Sequence, residues 1–112
     1  MQKFEYRTPR FSVDLPVRFT VEDTTLIGRC TEISQDGMRL ELRHPLPADA
    51  CGVVRMSYQE WNLELNVRVA HVGATHGGLE FIYESDRERI AVARLIASLA
   101  AAQNRPGPML VN

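Results

Sequence analysis

The sequence predicts an all-β protein: six short antiparallel strands closed into a small barrel, with one C-terminal helix. Three observations carry that reading. Apolar and polar residues alternate through successive short runs until about residue 83, the period of a sheet with one buried face. Turn-forming residues separate the runs. From Ser85 onward the apolar period lengthens to that of a helix.

Val17, Phe19 and Val21 alternate with polar neighbours and mark the first strand. Leu26-Ile27-Gly28-Arg29-Cys30-Thr31-Glu32-Ile33 reads as the second. Asp36-Gly37 is a tight-turn dipeptide whose residues tolerate positive φ, so Met38, Leu40 and Leu42 continue as the second arm of a hairpin. The two prolines of His44-Pro45-Leu46-Pro47-Ala48-Asp49-Ala50 make a loop. Val53, Val54 and Met56 form a fourth strand, and Ser57-Tyr58-Gln59-Glu60 reads as a turn. Trp61, Leu63, Leu65, Val67 and Val69 alternate strictly with Asn62, Glu64, Asn66 and Arg68 and give the clearest strand. Gly73 to Gly78 reads as a turn before a sixth strand, Leu79-Glu80-Phe81-Ile82-Tyr83.

Ser85 and Glu88 have capping-box spacing, in which each side chain bonds the other residue's backbone N–H. Val92, Leu95, Ile96 and Leu99 then fall on one helical face, suited to closing the barrel. Ile90, Ala93, Ala97 and Ala100 form a smaller apolar stripe, either a helix-favouring surface or a contact for a partner or a second copy, a homodimer. Arg105-Pro106-Gly107-Pro108 cannot continue the helix. The expected organisation is one domain over residues 1–104, including an N-terminal arginine arm, and a flexible tail over 105–112.

With 112 residues, 45% hydrophobic and 24% charged, the composition is that of an ordinary globular domain. No apolar run reaches the ~20 residues that span a bilayer. The first residues lack the apolar middle of a secretory signal, so a cytoplasmic location without membrane insertion is expected. A net charge of −1 argues against a nucleic-acid polymer as partner. Cys30 and Cys51 are expected reduced and buried. His44, His71 and His76 have neither a cysteine cluster nor helical i, i+4 spacing, so no metal is expected. There is no Ser/His/Asp or Cys/His set and no phosphate-binding glycine loop, which excludes the common enzyme classes.

Two segments carry the chemistry. Tyr6-Arg7-Thr8-Pro9-Arg10 is basic and proline-stiffened, a local cationic patch on a near-neutral chain. Arginine's planar fork matches guanine O6 and N7 and also pairs with phosphate oxygens. Glu32-Ile33-Ser34-Gln35-Asp36-Gly37 is polar and lies at the hairpin. Glu32 can accept from guanine N1–H and N2–H, Ser34 offers a hydroxyl, and Gly37 permits close backbone approach. Each segment alone also reads as an arm of solvated arginines and as hairpin punctuation with Ser34 bonding local backbone.

Together the segments resemble the two signatures of the PilZ family, bacterial domains that bind cyclic di-GMP: Arg-x-x-x-Arg, then Asp/Asn-x-Ser-x-x-Gly on a split β-barrel. The resemblance runs from residue 6 to about 100 and includes Ser34, Gly37, a Gly78-Leu79-Glu80-Phe81 strand start and the closing helix. It implies binding of cyclic di-GMP, with no other cofactor, and relay to a protein effector. Arg7 and Arg10 would grip guanine and phosphate, opposite Glu32, Ser34 and Gly37. Tyr6 occupies the first arginine position, with Arg7 one residue along, and Glu32 replaces Asp/Asn. These departures support a second reading, a degenerate domain that acts without nucleotide as an adaptor in pilus or motility machinery. A third, an oligonucleotide-binding barrel, is disfavoured by the near-neutral charge and few aromatics.

Overall fold

The structure, a computed structural model, describes residues 9–104. The strands are β1 (Phe11–Val21), β2 (Thr24–Ile33), β3 (Gly37–Glu41), β4 (Cys51–Tyr58), β5 (Trp61–Val72) and β6 (His76–Ile82), followed by helix α1 (Asp86–Asn104). All pairings are antiparallel, in the closed order β1-β2-β3-β6-β5-β4. The expected six-stranded barrel with one C-terminal helix is the fold that forms. The segment expected as a tail, 105–112, lies outside the described residues, as does Arg7.

Alternation sets the core. Val17 and Phe19 of β1, Leu63, Leu65, Val67 and Val69 of β5, and Leu79 and Phe81 of β6 point inward and are buried. Val92, Leu95 and Leu99 of α1 are buried as well, and the helix packs against β1 and β5. Burying a side chain of this kind stabilises by about 1.5–3 kcal/mol, so the helix is held by its apolar stripe. Ile90 stays 52% exposed, so the second stripe is not packed against its own barrel.

Four local expectations are corrected. The segment from Gly73 to Gly78 is not all turn, because β6 begins at His76 and pairs on both sides. The turn is tighter, with Gly73 N–H donating to His76 O at 2.8 Å. Gly77 can join the strand because Leu46, from the proline-rich loop, fills the space beside it. A Cβ at Gly77 would stand 2.2 Å from Leu46 Cδ1. Likewise Ser57 and Tyr58 belong to β4, and the turn over 59–60 is made by Gln59 at φ 53°.

The helix cap is offset from the expected box. Ser85 Oγ accepts from Glu88 N–H at 3.3 Å, but the Glu88 carboxylate accepts from Glu84 N–H at 2.8 Å. The reciprocal bond therefore satisfies a donor one residue earlier. The cysteines also differ from each other: Cys30 is buried, whereas Cys51 is exposed at the start of β4, and both are free. Burial pushes the Cys30 thiol up to about 12, and its Sγ donates to Glu32 O at 3.2 Å.

Two predictions follow from the packing. Leu46→Ala should destabilise the protein by about 2–5 kcal/mol, read as a lower midpoint in denaturant unfolding, because the void above Gly77 cannot collapse onto a side chain. A thiol reagent at neutral pH should label Cys51 rapidly and Cys30 only after denaturant is added; equal rates would contradict the burial of Cys30.

Candidate functional site

Arg10 stands immediately before β1. The register Phe11↔Ile33 and Ser12↔Glu32 lays it alongside the end of β2. Its Nη1 lies 3.5 Å from Glu32 Oε1, an exposed ion pair. On the other side, Glu32 is the cross-strand partner of Arg39 in β3. The carboxylate therefore sits between two arginines on the outer wall. A bulge makes this arrangement. The β2–β3 register shifts between Cys30 and Glu32, leaving Thr31 as the extra residue. Cys30 and Ile33 both point inward, and without an insertion Glu32 would share their side of the sheet's alternation with Cys30. The bulge turns it out.

The hairpin turn is closed by side-chain bonding. Ser34 N–H donates to Gly37 O at 2.8 Å, and Ser34 Oγ accepts from Asp36 N–H at 3.1 Å and Gly37 N–H at 3.3 Å. The hydroxyl hydrogen has Gly37 O as an acceptor at 3.4 Å. Ser34 is fully buried, and its hydroxyl is engaged inside the turn. Gly37 is buried too. It does not adopt the positive φ expected of the Asp36-Gly37 dipeptide, nor does Asp36. Glycine is needed here for close approach: a Cβ would lie 2.1 Å from Leu79 O in β6.

The turn is also strapped to the rest of the fold. Asp36 O accepts from Phe81 N–H at 2.9 Å. Tyr83 Oη donates to Gln35 O at 2.5 Å, and Gln35 Nε2 reaches Tyr83 Oη and Arg89 O, each at 3.2 Å. The Arg89 guanidinium lies over the Tyr83 ring, 4.7 Å from its centroid. One continuous set of contacts thus joins the hairpin turn, the end of β6 and the first turns of α1.

Of the residues expected to bind, Arg10, Glu32, Ser34 and Gly37 come together at one end of β2, while Arg7 lies outside the described residues. Arg10 and Glu32 present charge at the surface; Ser34 and Gly37 shape the backbone beneath. Sequence reasoning did not single out Arg39, Gln35 or Tyr83. Alternation placed Arg39 outward, but its pairing with Glu32 depends on the bulge. Among the described residues no group of three or more His, Cys, Asp or Glu side chains is assembled to hold a metal. No helix among them is long and apolar enough to cross a membrane.

Burial is the main cause that raises the Tyr83 phenol to about 12, from an ordinary 10. The unfolded chain therefore loses this proton first. Stability from Tyr83 is complete below about pH 10 and falls as pH rises through about 12. Tyr83→Phe should cost roughly 1 kcal/mol at neutral pH and flatten that alkaline slope in denaturant titrations. An unchanged slope would assign it to another group.

The PilZ domain family model matches residues 5–98. A search of curated proteins finds no match. Among solved structures, the PilZ domain of CeSA from a cellulose-synthesizing bacterium superposes with a TM-score of 0.75 at 18% identity, covering 83% of this chain and 99% of that one. The Bacillus subtilis inhibitor of motility MotI/DgrA gives 0.73 at 14% identity, covering 92% of this chain and 54% of that one. The complex of K. pneumonia MrkH with c-di-GMP gives 0.73 at 15% identity, covering 91% and 55%. The chain thus spans just over half of the last two. At these identities the likeness establishes the barrel fold, and the family match covers most of the sequence. The chain belongs to the PilZ domain family.

Proposed function

We propose that this chain is a receptor for cyclic di-GMP that relays occupancy to a protein partner in the bacterial cytoplasm. The observation that carries the reading is the placement of Arg10 against Glu32, 3.5 Å apart, at the edge of a turn built by Ser34 and Gly37. Arg10, with Arg7 from the preceding segment, supplies forked donors for guanine O6 and N7 or for phosphate. Glu32 supplies an acceptor for guanine N1–H and N2–H. Ser34 and Gly37 contribute by holding the turn flat against β6, where a side chain or a freed hydroxyl would distort it. That MrkH, on the same fold, has been solved with c-di-GMP supports the choice of ligand.

The Arg10–Glu32 pair is no serious obstacle to ligand entry. Both side chains are substantially exposed, and such pairs are worth only ~0–1 kcal/mol. A bidentate arginine–guanine contact is worth about 1–3 kcal/mol, so exchange favours the ligand. Relay would run through the strapped turn: a nucleotide pressing on residues 34–37 acts on Gln35, and through Tyr83 and Arg89 on the start of α1. The outer stripe of that helix, with Ile90 exposed, is available to a protein partner or a second copy. No catalytic step is part of this reading.

The second reading, an adaptor in pilus or motility machinery that does not bind the nucleotide, is favoured by the same ion pair. Glu32 is longer than the Asp or Asn of the family signature and already has Arg10 as its partner.

Isothermal titration distinguishes the two. The receptor reading expects saturable heat with cyclic di-GMP and a rise in melting temperature at excess ligand. Arg10→Ala should weaken binding roughly 5- to 150-fold, the equivalent of ~1–3 kcal/mol. No heat from the natural chain, but binding by the Tyr6→Arg, Glu32→Asp double variant, would establish the adaptor reading instead.

A further inference from the structure

We infer that the outer wall across β2, β1 and β4 is a docking surface for an acidic polypeptide segment carrying an apolar anchor residue. β1 pairs with β2 along most of its length, but with β4 only from Val17 to Thr20. The β1–β4 ladder therefore ends at Val17↔Met56, and Pro16 lies just beyond it. A groove of about 700 Å³ runs from this seam past Pro16 and Ile27 to Asn62. A second, of about 610 Å³, continues from the same two residues to Arg43 and His76. Pro16 and Ile27 are thus the shared floor of one long channel.

Ile27 is 70% exposed, more than any other large hydrophobic side chain among the described residues. A single exposed isoleucine is ordinary; its charged setting is not. Arg18 is the cross-strand partner of Ile27 on one side and of Arg55 on the other. Like charges directly opposite are destabilising. Arg55 is compensated by Glu64 at 2.7 Å, Arg29 by Asp14, and Glu41 faces His76 at 3.5 Å. Among the described residues, no ion pair engages Arg18 or Arg43. Asp14 and Glu64 are thus committed to Arg29 and Arg55, and the guanidiniums of Arg18 and Arg43 flank an aliphatic floor.

Charge complementarity then selects carboxylates, and Pro16 with Ile27 selects an apolar side chain between them. No Phe, Tyr or Trp lines either groove, which disfavours stacked nucleic-acid bases. The surface is separate from the candidate nucleotide site, since Glu32 lies roughly 17 Å farther along β2 at ~3.3 Å per residue. It stands whether or not the nucleotide binds.

Selection of phage-displayed random peptides on the purified protein tests the inference. Enriched sequences should combine Asp or Glu with a central large apolar residue. A synthetic peptide of that consensus should shift the Ile27 and Arg18 amide resonances and bind more weakly as salt rises. Ile27→Ser and Arg18→Glu should each reduce its affinity roughly tenfold or more. Both positions are exposed, so Ile27→Ser should retain the melting temperature, and Arg18→Glu should raise it by removing the repulsion with Arg55. No enrichment, a neutral or basic consensus, or binding that survives both substitutions would overturn the assignment. A concentration-dependent dimer in sedimentation, lost in Ile27→Ser, would give the surface to a second copy instead.

Discussion

Closure of the barrel is the constraint from which the other features follow. Six short strands present no open edge only if β1 pairs with both β2 and β4, and β1 does so along different parts of its length. Closing so small a sheet requires tilt, stagger and local bends. The bends fall where the registers shift: beside Thr31 in β2, between Ser12 and Leu15 in β1, and between Val69 and His71 against β6. The first two flank the Arg10–Glu32 pair. The irregularity that lets the sheet curve also aims Glu32 outward, so the candidate site is a product of closure rather than an addition to it.

Above that bend the turn is held by side-chain as well as backbone hydrogen bonds. Ser34 replaces backbone acceptors with its hydroxyl, Gly37 lets β3 lie against β6, and Gln35 is bonded to Tyr83 and to the helix. A surface held in place before a ligand arrives spends little free energy on ordering when it binds. The same bonding makes the turn and α1 one mechanical unit. This is what a receptor needs if a nucleotide on the barrel wall is to be felt by a partner on the helix.

The charges of the outer wall form ladders across strands: Asp14 with Arg29, Arg55 with Glu64, and Arg68 with Glu80. Each is exposed and worth ~0–1 kcal/mol, so together they contribute little to the stability supplied by the core. Their significance is in pattern. Where it breaks, at Arg18 beside Ile27, a guanidinium is left beside an exposed aliphatic side chain, the feature from which the docking surface is inferred.

Much of this was legible in the chain. Strict alternation from Trp61 to Val69 defined a strand because inward and outward positions follow a local period, and the 92-95-96-99 spacing defined a helix face for the same reason. The resemblance of the Arg10 and Ser34–Gly37 segments to PilZ signatures pointed to the candidate site. Contacts between distant segments were not legible. Gly77 reads as a turn residue until Leu46 is seen filling the space a side chain would occupy. Gly37 reads as a positive-φ residue until β6 is seen pressed against it. Arg39 reads as one more outward charge until the bulge at Thr31 sets it opposite Glu32. Periodicity is written in neighbouring residues, so the sequence by itself determined the strands and the helix. Register and close approach depend on which strands meet and on where the sheet must bend to close, and only the tertiary structure decided those.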